Sequence, residues 1–280
     1  RACELGVMFW DTANRYNAAS GNSERLIGRW LAAHPERRRD VVLATKTHGG
    51  MDGWTPNHAG LSRLQIIESV KASLERLQTD WIDLLRIHRF DENVPLEESL
   101  ETVEDLVRQG LVRYLAVSNF SAAQLGECLR ISESLSRRTR PIAVQNRFDP
   151  LNGESLPGVL DLCAREGVSF VPYSPLAQGL LTERYLDPDK VGPGDRLFDE
   201  GTFSGIDEEK LAAVRRLGEL AKEWEVKVST LTLAYILTLD GMGTQIPSSS
   251  SVAQLEDNAA AGTLELTEEQ VGALKEIFVR

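Results

Sequence analysis

Residues 62–88 read SRLQIIESVKASLERLQTDWIDLLRIH and contain the two kinds of element from which the fold follows. The first part repeats apolar side chains every three or four residues, which predicts an amphipathic helix. The second part, IDLLRIH from Ile82, is a short apolar run of the length of a buried strand. The helical face that we expect to pack on a sheet comprises Leu64, Ile67, Val70, Leu74 and Leu77.

The same alternation of short apolar runs with longer helical segments covers the chain. It is typical of parallel strands joined by crossover helices, and nearly continuous apolar runs are typical of strands covered on both faces. The seven predicted strands are VMFWD from Val7, VVLATK from Val41, IDLLRIH from Ile82, YLAVSN from Tyr114, IAVQN from Ile142, VSFVPYS from Val168 and GTQIPS from Gly243.

Two architectures show this alternation over 280 residues, a doubly wound sheet and an eight-stranded (β/α) barrel. Both bind their ligands at the carboxyl ends of the strands. A barrel requires an eighth strand, and the opening RACELGV is typical of a helix end that leads into the first of the seven. If the fold is a barrel, we therefore expect one strand to be missing ahead of Arg1.

Composition argues against several classes of protein. The chain has 31 Lys and Arg against 42 Asp and Glu, and its net charge of −11 opposes binding to nucleic acid or to anionic lipid. Three cysteines, an odd number with wide spacing, fit neither a disulfide framework nor a paired-ligand zinc site. No signal peptide or membrane span is predicted. These features predict a soluble cytoplasmic protein without a metal.

Several helix boundaries are marked by local signals. The segment from Leu96 begins with acidic residues and ends at Gly110, as the helix dipole and the C-cap favour. Asp207 and Thr267 each stand where a helix N-cap is expected. The long stretch Thr182–Gly205 contains several Gly, Pro and Asp residues and predicts an irregular loop.

A polar or ionisable side chain stands at the end of every predicted strand. Because the carboxyl ends of parallel strands meet at one edge, convergence of these residues on one site explains the pattern better than seven coincidences. The residues are Asp11 with Tyr16 just beyond it, Lys46, His88, Ser118 and Asn119, Gln145 and Asn146, Tyr173 and Ser174, and the serines from Ser248.

Each of these residues alone also has an ordinary structural interpretation. Asp11 could cap the next helix, and Ser118 and Asn119 could cap the helix that begins near Ser121. The other three could be a rim aromatic, a surface lysine and a core histidine, in the order Tyr16, Lys46 and His88.

Seven motifs in sequence resemble the aldo-keto reductase family. They extend from Met8 to Asn258 and are FWDTANRY, VVLATKTH, DLLRIHRFD, VRYLAVSNFS, AVQNRFDPLN, VPYSPLAQGLLT and IPSSSSVAQLEDN. The resemblance implies one (β/α)8 TIM barrel domain over residues 1–280, with its first strand ahead of Arg1. It also implies a nicotinamide cofactor bound in extended form without a Gly-rich Rossmann loop.

The resemblance implies catalytic roles for four residues. Tyr16 would protonate a carbonyl oxygen, and the ammonium of Lys46 would lower the pKa of that phenol. Asp11 would hold the lysine through a charge-assisted hydrogen bond, and His88 would orient the carbonyl or help to pass the proton.

Cofactor contacts are also implied by the resemblance. Many relatives carry Lys or Arg just after the Pro of the last strand to bind the 2′-phosphate of NADP, whereas this chain has four serines. NADP(H) is still favoured over NAD(H), because hydroxyls and helix amides also bind phosphate. The implied contacts are Ser118, Asn119 and Gln145 for the nicotinamide carboxamide, Tyr173 for its ring, Ser174, Leu176 and Gly179 for the pyrophosphate, and Ser249, Gln254 and Asn258 for the adenosine end.

The substrate pocket is predicted from aromatic and charged residues next to strand ends. Aromatic walls suit apolar aldehydes and ketones, while an arginine could meet a carboxylate or a sugar oxygen. Each residue could equally be an ordinary loop anchor. The candidates are Trp10, Trp54, Arg89, Phe90, Arg147 and Phe148.

Two other functions remain open. The family includes regulatory subunits of potassium channels, which keep the barrel and the cofactor but act by binding a partner. Alternatively, a lyase or aldolase on the same barrel could use Lys46 to form a Schiff base. The expected partner of the reductase itself is a small carbonyl substrate.

Overall fold

The computed structural model describes residues 1–16, 19–51, 55–135 and 139–278. The chain forms two compact units. The amino-terminal unit comprises Val7–Gln145 and Leu156–Phe170, and the carboxy-terminal unit comprises Arg1–Gly6, Asn146–Ser155 and Val171–Arg280. The prediction of a single domain stays a prediction, and each unit is described by itself.

Parallel strands form the centre of the amino-terminal unit. In chain order the strands are β1 (Phe9–Asp11), β2 (Arg15–Tyr16), β3 (Ala19–Ser20), β4 (Val42–Thr47), β5 (Ile82–Ile87), β6 (Val112–Ser118) and the first residues of β7 (Ala143–Asp149). Strands β1, β4, β5, β6 and β7 pair in that order, all in parallel. Their carboxyl ends therefore lie along one edge, as the sequence predicts.

Helices alternate with these strands along the chain. They are α1 (Asn22–Ala33), α2 (Arg63–Leu77), α3 (Leu96–Arg108), α4 (Ala122–Leu135) and α5 (Val159–Glu166). The side chain of Ser62 caps α2 by accepting from the backbone N–H of Gln65. Past the end of α3, Gly110 adopts the predicted left-handed conformation, with a φ of +77°.

The buried face of α2 differs from the predicted one. Ile66, Val70 and Leu77 are buried, but Leu64 is 52% exposed, and the small side chain of Ser73 takes a buried position. The prediction for Leu64 was wrong because the apolar pattern of this helix contains two overlapping stripes. The structure buries the stripe through Ile66, which leaves Ile67 and Leu74 half-buried at its border.

The carboxy-terminal unit contains the remaining elements. They are the end of β7, β8 (Gly153–Glu154), the end of β9 (Ser169–Tyr173), α6 (Arg196–Asp199), α7 (Glu208–Glu223), α8 (Val228–Leu237), α9 (Val252–Ala260) and α10 (Glu268–Ile277). Asp207 caps α7, and Thr267 forms a capping box with Gln270 at α10, as predicted. Its core packs Leu181 with residues of α7, α8 and α10, among them Leu217, Leu231 and Leu274.

Two segments of the carboxy-terminal unit were predicted to be a strand and an irregular loop. The segment GTQIPS is not a strand: Ile246 forms an isolated bridge with Tyr173. Pro247 follows directly and has no N–H to extend the pairing. The stretch 182–205 is irregular as predicted, although it contains short 3₁₀ turns and α6. A hydrogen bond within it anchors the stretch: the hydroxyl of the buried Tyr185 accepts from the backbone N–H of Leu197 at 3.0 Å.

Within the residues that the structure describes, none of the helices is long and apolar enough to cross a bilayer.

Helices α1 and α2 approach each other closely at Gly28. A Cβ atom at this position would lie 2.1 Å from the backbone oxygen of Arg76, a distance that requires the two backbones to separate. Gly126 in α4 is the opposite case, because a Cβ atom there would meet nothing within 4 Å.

We predict that Gly28→Ala lowers the free energy of unfolding by about 1–3 kcal/mol through overpacking. The matched control Gly126→Ala should raise it by up to about 1 kcal/mol, because alanine is the better helix former. Urea unfolding followed by circular dichroism measures both. Equal effects of the two substitutions would contradict the close approach of α1 and α2.

Candidate active site

Lys46 is the centre of a buried polar cluster at the carboxyl edge of the amino-terminal unit. It is 1% exposed, and its Nζ has three hydrogen-bond partners. Nζ lies 2.6 Å from Asp11 Oδ1, 2.6 Å from the hydroxyl of Tyr16 and 2.9 Å from the backbone oxygen of Thr12. The amine is therefore held in one position by groups from β1, β2 and the loop between them.

Tyr16 reaches the cluster from the short antiparallel ribbon of β2 and β3. Its hydroxyl accepts from Lys46 and lies 3.2 Å from Asp11 Oδ1, to which it donates. The residue is 39% exposed, although its hydroxyl contacts a buried amine. Tyr16 therefore joins a buried charge to the protein surface, which is the position that a proton donor to a bound substrate requires.

Asp11 uses both of its carboxylate oxygens. Oδ1 binds Lys46 and Tyr16, while Oδ2 accepts from Arg86 Nη1 and, at 3.2 Å, from Gln145 Nε2. These bonds exclude the interpretation of Asp11 as a helix cap, since the N-cap of α1 is Gly21. The burial of Lys46 likewise excludes a surface lysine.

Burial controls the protonation of this cluster. It raises the pKa of Tyr16 to about 12, with the Glu24 carboxylate acting in the same direction. It lowers the pKa of Lys46 to about 7, which the same carboxylate opposes. The resemblance implies that the ammonium lowers the pKa of Tyr16, whereas the net direction is upward, because burial and the Glu24 carboxylate both disfavour the phenolate. Tyr16 therefore keeps its proton at neutral pH, as a proton donor must.

His88 lies next to the phenol. Its ring stands edge-on to the ring of Tyr16, with centroids 6.3 Å apart. Burial, followed by the charge of Lys46, lowers the pKa of His88 to about 4. The imidazole is therefore neutral at physiological pH and can donate or accept one hydrogen bond on each ring nitrogen according to its tautomer.

The three residues implied for the carboxamide adjoin this cluster. Ser118 donates to the backbone oxygen of Gln145 at 2.9 Å, and Asn119 donates to the backbone oxygen of His88 at 2.9 Å. Neither caps a helix, because Ser121 performs that task by accepting from the backbone of Gln124. Asn119 has a φ of +56°, an uncommon left-handed conformation for a residue other than glycine. Asn119 and Gln145 thus contact the predicted catalytic residues His88 and Asp11, and Ser118 contacts Asn119 and Gln145.

A cavity of 770 Å³ lies beside Asn119 in the amino-terminal unit. Arg89, Phe90 and Asp91 form part of its wall, and Arg89 Nε donates to the ring of His48 at 3.3 Å. Arg89 and Phe90, two of the residues predicted for the substrate pocket, thus line this cavity, and their role stays a prediction. Trp54 lies outside the described residues.

Trp10 occupies a different environment. Its indole N–H donates to the backbone oxygen of Val7, and its ring packs edge-on against Trp30 of α1 at 4.8 Å. Neighbouring residues of a strand point to opposite faces, so Trp10 faces the helix layer while Asp11 faces the cluster. This placement argues against Trp10 as a wall of the pocket.

The carboxy-terminal unit contains a groove of 610 Å³. Ser174 and Gly179 line it with left-handed backbones, at φ of +57° and +106°. Leu176, Gln254 and Asn258 line it too. Ser249 accepts from Asn258 Nδ2 at 3.0 Å, so it lies next to the groove. Five of the predicted pyrophosphate and adenosine contacts thus share one groove.

Two arginines of this groove were missed by the sequence analysis. Arg184 and Arg196 both line it, and their side chains are 60% and 59% exposed. Each is bound through Nε to one carboxylate, Asp195 and Glu200 respectively, which leaves other guanidinium N–H groups for a ligand. Both come from the irregular stretch, where no periodic pattern indicates the direction of a side chain.

Three other residues predicted for this unit lie on β7 and β9: Arg147 and Phe148 on β7, and Tyr173 on β9. Burial raises the pKa of Tyr173, and the charge of Arg147 opposes this, so the guanidinium lies within electrostatic range of the phenol. Phe148 is buried and borders a separate cavity of 320 Å³ with Tyr235 and Phe278.

Comparison with known proteins identifies the relatives of this chain. The model of the aldo/keto reductase family matches residues 1–278. Aldo-keto reductase str7 of Strobilurus tenacellus is 35% identical, with 97% of this chain and 77% of the relative covered. Aldo-keto reductase AMT2 of Alternaria alternata is 32% identical, with 99% and 80% covered. A putative aryl-alcohol dehydrogenase of Schizosaccharomyces pombe is also 32% identical, with 99% and 89% covered.

These matches extend over nearly the whole chain, in agreement with its alternating strands and helices and with the cluster at its strand ends. The chain therefore belongs to the aldo/keto reductase family of oxidoreductases, which reduce carbonyl groups with nicotinamide cofactors and have the (β/α)8 barrel fold.

Proposed function

We propose that this chain reduces an aldehyde or ketone to the alcohol, and catalyses the reverse oxidation, with NADP(H) as cofactor and Tyr16 as the general acid. The observation that carries the proposal is the position of Lys46 Nζ, 2.6 Å from both the Tyr16 hydroxyl and Asp11 Oδ1. A phenol, an amine and a carboxylate in mutual contact form a site in which a proton can leave the phenol without creating an isolated charge.

Each unit has polar groups that suit one part of the cofactor. In the amino-terminal unit, Ser118, Asn119 and Gln145 offer hydroxyl and amide groups suited to a carboxamide. In the carboxy-terminal unit, a groove with left-handed backbone positions and two arginines suits phosphate. When bound, the reduced nicotinamide supplies a hydride to the carbonyl carbon.

The residues of the chain then transfer one proton to the substrate. Tyr16 transfers its hydroxyl proton to the carbonyl oxygen, which becomes the alcohol. The resulting phenolate lies 2.6 Å from Lys46 Nζ. The positive charge of this amine stabilises the phenolate more than it stabilises the neutral phenol. Neutral His88 can donate a hydrogen bond to the same carbonyl oxygen, and solvent at the exposed side of Tyr16 returns its proton.

The alternative of a Schiff-base enzyme has some support in the lowered pKa of Lys46, since a neutral amine is the nucleophile. Its geometry is less favourable, because Nζ is buried and engaged in three hydrogen bonds. Borohydride with a carbonyl substrate would label Lys46 in a Schiff-base enzyme and leave it unmodified in a reductase.

We support NADP(H) over NAD(H) with Arg184 and Arg196. An arginine can bind a phosphate through two parallel hydrogen bonds, and these two line the groove that contains Gln254 and Asn258. They could perform the task for which many relatives use a cation after the Pro of the last strand.

We predict that Tyr16→Phe lowers kcat for carbonyl reduction by about 10²- to 10⁴-fold, because the proton donor is lost. The Kd for NADPH, measured by fluorescence quenching, should stay within about twofold, since the substitution leaves the ring in place. Tyr114→Phe, at a tyrosine that is 56% exposed, is the matched control and should keep full activity. Full activity of Tyr16→Phe would disprove the assignment. A regulatory subunit without catalysis would show no oxidation of NADPH by added aldehydes in the parent protein.

We further predict that Arg184→Met or Arg196→Met raises the Kd for NADPH by about tenfold, the value of one charge-assisted hydrogen bond. The Kd for NADH should change much less. Arg130→Met, an exposed arginine of α4 paired with Glu127, controls for the loss of one surface charge. An equal loss of affinity for both cofactors would place these arginines at a phosphate that the two share.

A further inference from the structure

Arg86 is a buried cation that the predicted catalytic set does not include. It lies one residue before the end of β5, within the apolar run IDLLRIH, and is 0% exposed. In the parallel pairing of β4 with β5 it stands opposite Lys46. Side chains at opposed positions of neighbouring strands lie on the same face of a sheet, so two cations share this face.

The contacts of Arg86 connect it to the catalytic carboxylate. Nη1 donates to Asp11 Oδ2, and the guanidinium lies over the ring of Phe9, 5.3 Å from its centroid. Among the described residues, Nε and Nη2 have no hydrogen-bond partner although both are buried. One face of the guanidinium therefore contacts an aromatic ring, and only one of its three nitrogens is bound to a protein acceptor.

This arrangement is unfavourable for stability. A buried N–H without a partner typically costs about 1–3 kcal/mol, and an apolar side chain of similar volume often serves a protein core better than a buried ion. A second cation opposite Lys46 adds repulsion. The cost indicates that the charge of Arg86 serves the chemistry of the site.

The charges around the phenol give the reason. Asp11 is one anion shared by two cations, Lys46 and Arg86. Glu24 of α1 is also near, but Arg76 of α2 binds it at 2.7 Å and neutralises it, and His88 of β5 is uncharged. Gln145 of β7 is neutral as well. With Lys46 protonated, the cluster therefore carries one excess positive charge beside Tyr16.

We propose that Arg86 is a positioning residue of this active site: it holds Asp11 from the side opposite Lys46 and supplies the second buried positive charge that stabilises the Tyr16 phenolate. The inference deepens the proposed function and rests on Tyr16 being the proton donor. The charge of Arg86 also makes the phenolate available for the reverse reaction, in which Tyr16 accepts the proton of the alcohol.

The two cations differ in how firmly they keep their protons. Burial lowers the pKa of Lys46 to about 7 and that of Arg86 to about 9. Near neutral pH the lysine is close to its titration range, whereas the arginine remains charged. Arg86 therefore maintains a positive charge at Asp11 over pH values at which Lys46 begins to lose its own.

The experiment titrates Tyr16 directly. Difluorotyrosine, whose phenol is more acidic than that of tyrosine, is incorporated at position 16, and its ionisation is followed by absorption in the full chain. We predict that Arg86→Met raises the pKa of this phenol by about half a unit to one unit, because removal of a nearby cation disfavours the anion. Arg86→Lys, which keeps the charge, should restore most of the shift.

Turnover gives a second readout. For alcohol oxidation by the unlabelled protein, the limb of the kcat profile that rises with pH should move to higher pH by a similar amount in Arg86→Met. Arg86→Gln serves if the methionine variant does not fold. An unshifted titration in a folded variant would overturn the proposal and leave Arg86 a purely structural residue. A shifted titration in a protein that never turns over carbonyl compounds would instead overturn the proposed reaction and retain the electrostatic role.

Discussion

The contact on which the site depends is the carboxylate of Asp11 placed between two buried cations. One of its oxygens fixes the amine of Lys46, and that amine fixes the hydroxyl of Tyr16. The other oxygen is bound by Arg86 and Gln145. Without this carboxylate the two cations would face each other across neighbouring strands with no anion between them. The position of one side chain at the end of β1 thus determines the position of the phenol.

The parallel sheet is what makes this contact possible. Strands that run in the same direction present their carboxyl ends together, so residues distant in sequence meet after each strand. Asp11, Lys46 and Gln145 come from three different strands, and the side chains of Lys46 and Gln145 both bind the carboxylate of Asp11. The helices contribute through Glu24, which is fully buried and binds both Thr45 of β4 and Arg76 of α2. This second buried carboxylate connects two helices to the strand that carries Lys46.

Sequence patterns predicted most of this arrangement, and the failures have physical causes. Six of the seven strands and the caps of Asp207 and Thr267 were confirmed, because apolar runs and short-range capping signals act locally. The buried face of α2 was misjudged at Leu64, since two overlapping apolar stripes compete in one helix and tertiary packing decides between them. Arg86 was missed because the prediction considered the polar residues that follow each strand, and Arg86 lies inside the apolar run of β5, two residues before His88. The direction of the pKa change at Tyr16 could not be read from residue types, as it depends on how deeply the hydroxyl is buried.

Under the proposed function, proton transfer and nucleotide binding belong to different compact units, which bears on the evolution of the chain. Every member of the proton-transfer cluster precedes residue 146, whereas the groove with Arg184 and Arg196 is formed entirely by residues after 170. Substitutions that alter nucleotide preference would accumulate in one stretch of the gene without disturbing acid–base groups encoded in the other. Descendants of such a chain could exchange one dinucleotide for another while inheriting their proton donor intact.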